Sequence, residues 1–178
     1  MATSTADLWV TIAAGAERES RLWGAALRPA DEREQAAVFS PLGEERYALG
    51  LETIYEGYLA HYGRPRLFEP EDEDTALLLG DYLYAHGLVR IADVGFVEAV
   101  ADLAELISLC AQLRADERAG DGVAWAASAA LLGTGRLEEA RAALRGDGNA
   151  EPLAALAEAR AGTEAVEQAL AAHDRRAR

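Results

Sequence analysis

The sequence contains no lysine: all 17 of its basic residues are arginines, against 31 aspartates and glutamates. The formal net charge is therefore −14 at pH 7. A surface this acidic repels phosphate backbones, so we expect no nucleic-acid partner. An arginine can replace a lysine as a charge, but its planar guanidinium group differs in geometry from an ammonium group. An anion-binding site that uses lysine is therefore not reproduced by putting arginine in its place.

The sequence is also poor in cysteine and has no long apolar run. Cys110 is the only cysteine, which excludes an internal disulfide bond, and its setting in LISLCAQL favours a buried position. No apolar run approaches the ~20 residues that cross a bilayer, and MATSTADLWV lacks the basic start of a signal peptide. We therefore expect no membrane span and a cytoplasmic location.

Residues with β-branched side chains are sparse, whereas Ala, Leu, Glu and Arg dominate, and this composition favours helix. No turn signal flanked by alternating apolar residues occurs, so we expect no sheet. The sequence predicts one all-α domain over residues 1–178, a single helical bundle with a core in 1–133 and short amphipathic C-terminal helices in 134–178. The helices expected before residue 134 cover residues 5–27, 31–39, 43–62, 75–92, 96–118 and the small-residue segment 125–133.

The segment from Asp74 to Arg90, DTALLLGDYLYAHGLVR, contains the pattern A-x-L-x-G-D-Y-L-x-A, and Gly63-Arg64-Pro65 precedes it. This combination resembles the trans-polyprenyl diphosphate synthases over about residues 48 to 133. The resemblance implies an isoprenoid-synthase-like helical bundle, shortened in this chain. In that family a DDxxD motif lies upstream, followed by R-R-G-x-P. Counting back from Gly63 places Glu52-Thr53-Ile54-Tyr55-Glu56 at the DDxxD position and His61-Tyr62 at the paired arginines.

Members of that family bind an allylic diphosphate through Mg²⁺ ions held by two facing DDxxD motifs. Glu52 and Glu56 retain an i, i+4 pair of carboxylates, which could weakly hold one Mg²⁺ ion. We expect instead a solvated or salt-bridged pair, because the middle acid is replaced by Thr53. No Asp-Asp pair occurs after residue 118, so the second motif is missing and two metal sites cannot be built. We therefore expect no metal, no cofactor and no catalytic residue.

Two arginines just after the predicted helix over 43–62 are candidate replacements for the paired arginines of the family. Arg64 and Arg66 could bind a ligand together with Glu52 and Glu56. The alternative is that both arginines pair with the acidic residues in the loop over 69–74.

Four residues of the matching pattern are expected to have structural roles: Gly63 and Pro65 in a turn, and Gly80 and Asp81 in a helix. A glycine inside a helix costs ~1 kcal/mol relative to alanine, so Gly80 is expected where another helix crosses closely. Asp81 lies between leucines and tyrosines, so its burial would require partners. His61 is expected at the surface, at the end of a helix.

The resemblance implies a non-catalytic accessory or regulatory subunit in isoprenoid diphosphate synthesis, partnered by another copy of the chain or by a catalytic prenyl synthase subunit. The alternative is a helical protein-interaction or scaffold module with no isoprenoid role. A third possibility is a one-metal enzyme that uses Glu52 and Glu56. The tyrosines of the helices over 43–62 and 75–92 suit an interface and would equally suit a core. They are Tyr47, Tyr55, Tyr58, Tyr62, Tyr82 and Tyr84.

Overall fold

A computed structural model describes residues 5–177 of the chain, with side chains from residue 8 onward, as nine α-helices joined by turns and by a longer segment over residues 26–47 that contains three 3₁₀ turns. In that range there is no strand, and two isolated β-bridges join Leu27 to Phe68 and Gly63 to Ala177. The all-α prediction is therefore confirmed. The helices are α1 (Thr5–Glu19), α2 (Arg21–Ala25), α3 (Ala48–Tyr62), α4 (Glu73–Val94), α5 (Val97–Ala115), α6 (Asp121–Ala130), α7 (Glu138–Asp147), α8 (Glu151–Ala161) and α9 (Thr163–Asp174). None of the helices in this range is long and apolar enough to cross a membrane.

The single helix predicted over 5–27 is wrong, because the chain breaks it at Ser20 into α1 and α2. The backbone of Ser20 is extended, and its side-chain oxygen accepts a hydrogen bond from the backbone N–H of Leu22 at 3.1 Å. A serine in this position caps the helix that follows it and thereby favours a new start over continuation.

The helix predicted over 31–39 is also wrong. Only Ala30–Glu32 forms a 3₁₀ turn, and the rest of the segment is irregular. Its backbone groups bond to distant side chains instead of to each other: the carbonyl oxygen of Ala36 accepts from Arg66 at 2.9 Å, and the N–H of Val38 donates to Glu52 at 3.2 Å. Tertiary hydrogen bonds have replaced the local ones that a helix requires.

Helix α3 is the centre of the fold. It starts at Ala48 and not at Gly43 as predicted, because residues 40–47 form two 3₁₀ turns. The ten residues from Gly50 to Leu59 are all buried, as in a helix covered on every side. Tyr47, Tyr55 and Tyr58 are at most 1% exposed, so these three tyrosines belong to the core and not to an interface.

Helices α3 and α4 cross closely at four glycines, two on each helix and seven residues apart. A Cβ atom on Gly57 would lie 2.9 Å from the carbonyl oxygen of Gly80, and one on Gly87 would lie 2.2 Å from Cγ1 of Ile54. Gly50 faces the carbonyl oxygen of Gly87 in the same way. The two helices are therefore antiparallel, and the crossing brings their backbones close enough to exclude side chains.

We expect Gly87→Ala to destabilise the protein by about 1 to 3 kcal/mol, because the new methyl group overlaps a buried isoleucine. This cost should exceed the ~1 kcal/mol by which alanine is favoured over glycine in a helix. The matched control is Gly146→Ala in α7, where an added Cβ meets no atom within 4 Å. That variant should be stabilised by up to about 1 kcal/mol in urea unfolding followed by circular dichroism. Equal stability of the two variants would contradict the close crossing.

An aromatic cluster lies where α3, α6 and α9 meet. Phe39 stacks on Trp125 with ring centroids 5.6 Å apart, and Tyr55 meets the same indole edge-on at 5.1 Å. His173 of α9 lies 5.5 Å from Phe39. Cys110 is buried in the surrounding core, as predicted, and burial raises the pKa of its thiol. The C-terminal helices thus complete the core that α3 begins.

Candidate functional site

Glu52 and Glu56, the two glutamates that the resemblance aligns with a metal motif, lie in the core and bind Arg66. Nη1 of Arg66 is 2.6 Å from Oε2 of Glu52, and its Nε is 2.9 Å from Oε2 of Glu56. The three side chains are at most 1% exposed. We call Glu52, Glu56 and Arg66 the buried ionic cluster.

Backbone groups occupy the remaining carboxylate oxygens of this cluster. Oε1 of Glu52 accepts from the N–H groups of Val38 and Ser40 at 3.2 and 3.1 Å, and Oε1 of Glu56 accepts from Leu67 at 2.7 Å. All four oxygens of the two carboxylates therefore have donors within the chain. These residues do not fit a Mg²⁺ ion, which would have to displace Arg66 from the core. Among the residues that the structure describes, no three His, Cys, Asp or Glu side chains are grouped so as to hold a metal ion.

Arg66 does not pair with the acidic loop over 69–74, so that part of the sequence-based interpretation is wrong. Its guanidinium group lies 4.6 Å from the ring centroid of Trp9 and 5.0 Å from that of Tyr55, and it donates to two backbone carbonyls. Burial alone would lower the pKa of Arg66, but the charges and hydrogen bonds of Glu52 and Glu56 raise it above its usual value. Arg66 is therefore a charged core residue with every contact internal.

The turn containing Gly63, Arg64 and Pro65 is tied to the C-terminal end of the chain. The backbone N–H of Arg64 donates to the carbonyl oxygen of Arg176 at 3.0 Å, and a Cβ atom on Gly63 would lie 2.6 Å from that oxygen. The side chain of Arg176 bonds to Glu34. The glycine is thus needed for a close approach, and the residues after α9 hold the turn in place.

An open groove of about 1350 Å³ lies beside this turn, between the start of α4 and the end of α5. The lining of the groove contains arginines and a larger number of acidic residues. Arg28 pairs with Glu69 at 3.1 Å, and Arg118 donates to the backbone carbonyls of Leu144 and Arg145 at 2.8 and 2.9 Å. The groove is therefore no simple anion site. Arg64, at its rim, is exposed and is separated from the buried ionic cluster to which Arg66 belongs.

A second polar network links α3, α5, α6 and α9. Arg114 donates to Tyr58 at 2.5 Å and pairs with Asp121 at 2.6 Å, while Tyr58 donates to the same carboxylate. Nδ1 of His173 and the hydroxyl group of Tyr55 form a hydrogen bond of 3.0 Å. Nε2 of His173 is 3.8 Å from Oδ2 of Asp121, which is too far for a hydrogen bond.

The pKa values of Tyr58 and Asp121 in this network are shifted in opposite directions. Burial, and then the bond to Asp121, raises the pKa of Tyr58, so the phenol stays protonated. Burial would raise the pKa of Asp121, but His173, Tyr58 and Arg114 together hold it below the usual range. A fixed phenol and a fixed carboxylate do not exchange protons near neutral pH, so this pair is not suited to acid–base catalysis.

Gly80 and Asp81 lie beside His61, at the α3–α4 crossing. A Cβ atom on Gly80 would lie 2.4 Å from Nε2 of His61 of α3. Gly80 therefore lies where α3 approaches closely, as its position inside a helix predicted. Asp81 is exposed, and its Oδ1 lies 3.3 Å from the same nitrogen. The side chain of His61 is only 9% exposed, so its predicted surface position is wrong. Burial lowers the pKa of His61, and Asp81 opposes this effect.

Sequence reasoning also missed a buried ionic pair between α5 and α7. Arg141 of α7 donates to Oδ1 of Asp102 at 2.9 Å and to Ser128 at 3.1 Å, and the N–H of Gly133 donates to Asp102 at 2.8 Å. Asp102 and Arg141 each occupy a core position in the apolar period of their helix. This periodicity predicts that both side chains are buried, but it does not predict that they contact each other.

Large apolar side chains are exposed on the outer side of α4 and at the start of α5. Leu77, Leu78 and Val89 of α4 are 54%, 54% and 58% exposed, and Phe96 and Val97 are 65% and 81% exposed. Single exposed apolar residues are ordinary, whereas contiguous exposed apolar patches are a feature of interaction surfaces in general.

Comparisons of the chain with protein-family models, with curated proteins and with solved structures found no match.

Proposed function

We propose that this protein is a non-catalytic accessory subunit that binds a catalytic trans-polyprenyl diphosphate synthase. The observation that carries the proposal is the buried ionic cluster, because it occupies the position where the family resemblance requires a metal motif. With both carboxylates bonded to Arg66 and to backbone N–H groups, the position contributes to folding. A chain of this kind would act on isoprenoid synthesis only through a partner that supplies the metal sites.

The exposed apolar residues of α4 and α5 support a binding role. Charged residues are depleted from the centre of protein interfaces, where apolar side chains become buried. The start of α5 exposes Phe96 and Val97 next to each other, with the guanidinium group of Arg46 5.8 Å from the centroid of the Phe96 ring. The same surface also supports a second function, a helical interaction module with no isoprenoid role, and the two proposals differ only in the partner.

The test is a prenyl-transfer assay with a labelled allylic diphosphate, isopentenyl diphosphate and Mg²⁺. We expect no product from this protein alone, and a changed rate or product chain length when it is mixed with a catalytic synthase. Ala104 is exposed on α5, one of the two helices that carry the exposed apolar residues, so Ala104→Arg should remove the effect in the mixture. Ala171 is exposed on α9, so Ala171→Arg should leave the effect unchanged. Product from the protein alone would overturn the non-catalytic assignment. An unchanged synthase in every mixture would overturn the isoprenoid role and favour the interaction module.

A further inference from the structure

Helices α4 and α5 form a hairpin whose exposed outer surface is mostly apolar. Only Gly95 and Phe96 separate them, and Leu77 near the start of α4 lines the same groove as Ala111 and Ala115 near the end of α5, so the helices are antiparallel. Exposed residues recur at helical spacing on both helices and form two adjacent stripes. We call this surface the α4–α5 face; it consists of Leu77, Asp81, Ala85, Ala92, Val97, Ala101, Ala104 and Ser108.

The shape of the α4–α5 face suits a helix. Its middle residues are small, so that the backbone of a third helix can approach closely, and Leu77 and Val97 are larger apolar residues that can anchor it. On α4 the stripe runs from Leu77 to Ala92, about 22 Å of helix or four turns. Amphipathic helices commonly bind to apolar surfaces of this length.

The charged side chains that α4 and α5 themselves expose, Asp81 within the face and five others beside it, are of one sign, whereas Arg46 beside Phe96 and Arg145 beside Glu105 come from neighbouring segments. Each charged residue that is exposed on α4 and α5 is an acid: Glu73, Asp74, Asp81, Asp93, Glu98 and Glu105. The two arginines of these helices are half-buried and turned to internal partners, Arg90 to Thr53 at 2.5 Å and Arg114 to Asp121 at 2.6 Å. Of these acids, Glu105 pairs with Arg145 at 2.9 Å, and Asp81 lies 3.3 Å from Nε2 of His61. An apolar surface bordered by acids is complementary to an apolar surface bordered by bases.

A second copy of the chain is a poor occupant for this face. It would present the same acids, and each chain already carries a net charge of −14. Like charges facing each other across an interface are unfavourable and select against the wrong partner.

We propose that the α4–α5 face binds an amphipathic helix of the partner protein, with apolar residues against the face and arginines or lysines along both edges. This inference rests on the proposed function in one respect, namely that the chain acts by binding another protein. It adds the location of the binding surface and the chemistry of the segment that it recognises.

The experiment uses a synthetic helical peptide of about 18 residues, a helix about 27 Å long, with leucine and alanine on one face and arginine at the edges. Its matched control replaces every arginine with glutamate. Fluorescence anisotropy with the full chain should show that the arginine peptide binds at least about tenfold more tightly than the glutamate peptide. Salt should weaken this binding, because the edge charges are exposed to solvent.

Variants locate the binding. Ala85→Arg and Ala104→Arg place a cation at the centre of the face and should each weaken binding of the arginine peptide by at least about tenfold. Ala171→Arg makes the same change at an exposed position of α9 and should leave binding unchanged. Circular dichroism of all three variants checks that the fold is retained.

Three results would overturn the inference. The first is no binding of the arginine peptide, or no preference for it over the glutamate peptide. The second is an equal loss in Ala171→Arg, which would mean that net charge and not the face attracts the peptide. The third is a dimer in sedimentation velocity that Ala104→Arg dissociates, which would make a second copy the occupant. Because no synthase is present in the peptide assay, its failure and the failure of the prenyl-transfer assay are separate results.

Discussion

Replacing Arg66 with alanine is expected to destabilise the protein by about 3 to 5 kcal/mol, because it leaves two carboxylates buried without their cation. Glu52 and Glu56 are 0% exposed, so water cannot replace the lost partner without opening the core. The carbonyl oxygens of Ala36 and Glu52 would also lose a donor. Urea unfolding followed by circular dichroism measures the effect.

The matched control is Arg64→Ala, two residues away in the same loop. Arg64 is exposed, so its removal should change the free energy of unfolding by no more than about 0.5 kcal/mol. Similar effects in the two variants would show that Arg66 is not the cation of a buried cluster. Replacing the whole cluster by apolar residues should still be costly, because the glutamates also accept from three backbone N–H groups.

Replacing Trp125 with alanine is expected to cost about 3 to 5 kcal/mol, the range for removing a large aromatic side chain from a core. Trp125 is 1% exposed and contacts the rings of Phe39, Tyr55 and Tyr58. Its loss would open a cavity between α3, α6 and the segment that precedes α3. Far-UV circular dichroism in urea is the suitable measurement, because the variant alters tryptophan fluorescence.

Trp125→Phe should be distinctly milder, since the indole Nε1 of Trp125 has no hydrogen-bond partner among the described residues and a phenyl ring keeps most of the packing. Trp23→Ala is the positional control, because Trp23 is half-buried and, within the described part of the chain, contacts only one other aromatic ring, that of Tyr82, at a tilt with ring centroids 5.6 Å apart. If Trp125→Ala cost no more than Trp23→Ala, the aromatic cluster would not be the centre of the core.

The buried ionic cluster also shows what a sequence motif predicts and what it does not. The i, i+4 spacing of Glu52 and Glu56 placed both carboxylates on one side of α3, and they do lie together. What they bind was decided by the loop after α3, which brings Arg66 into the core. Spacing within a helix therefore predicts which side chains are neighbours, while the identity of their ligand depends on what the rest of the chain brings to them.

Local signals carried much of the helical prediction. Helix α4 begins after Asp72, whose side chain accepts from the N–H of Thr75 at 2.7 Å, and the acids that follow sit at the favoured end of the helix dipole. Its end at Gly95 and the start of α5 nearby were equally readable. The paired glycines of α3 and α4 are a further signal that was available, since a spacing of seven residues on both helices predicts a close crossing.

The sequence by itself determined the all-α class, the main helices from residue 48 onward and the burial of Cys110, because helical period, capping and apolar content are properties of short segments. Only the tertiary structure decided that Arg66 binds two glutamates, that residues 33–39 are not helical, and that Asp102 pairs with Arg141. These contacts join residues 10 to 39 positions apart, and the bond of Tyr55 to His173 joins residues 118 positions apart. A buried charge must find its partner wherever the fold places one, so its choice depends on the packing of whole helices and not on the residues beside it.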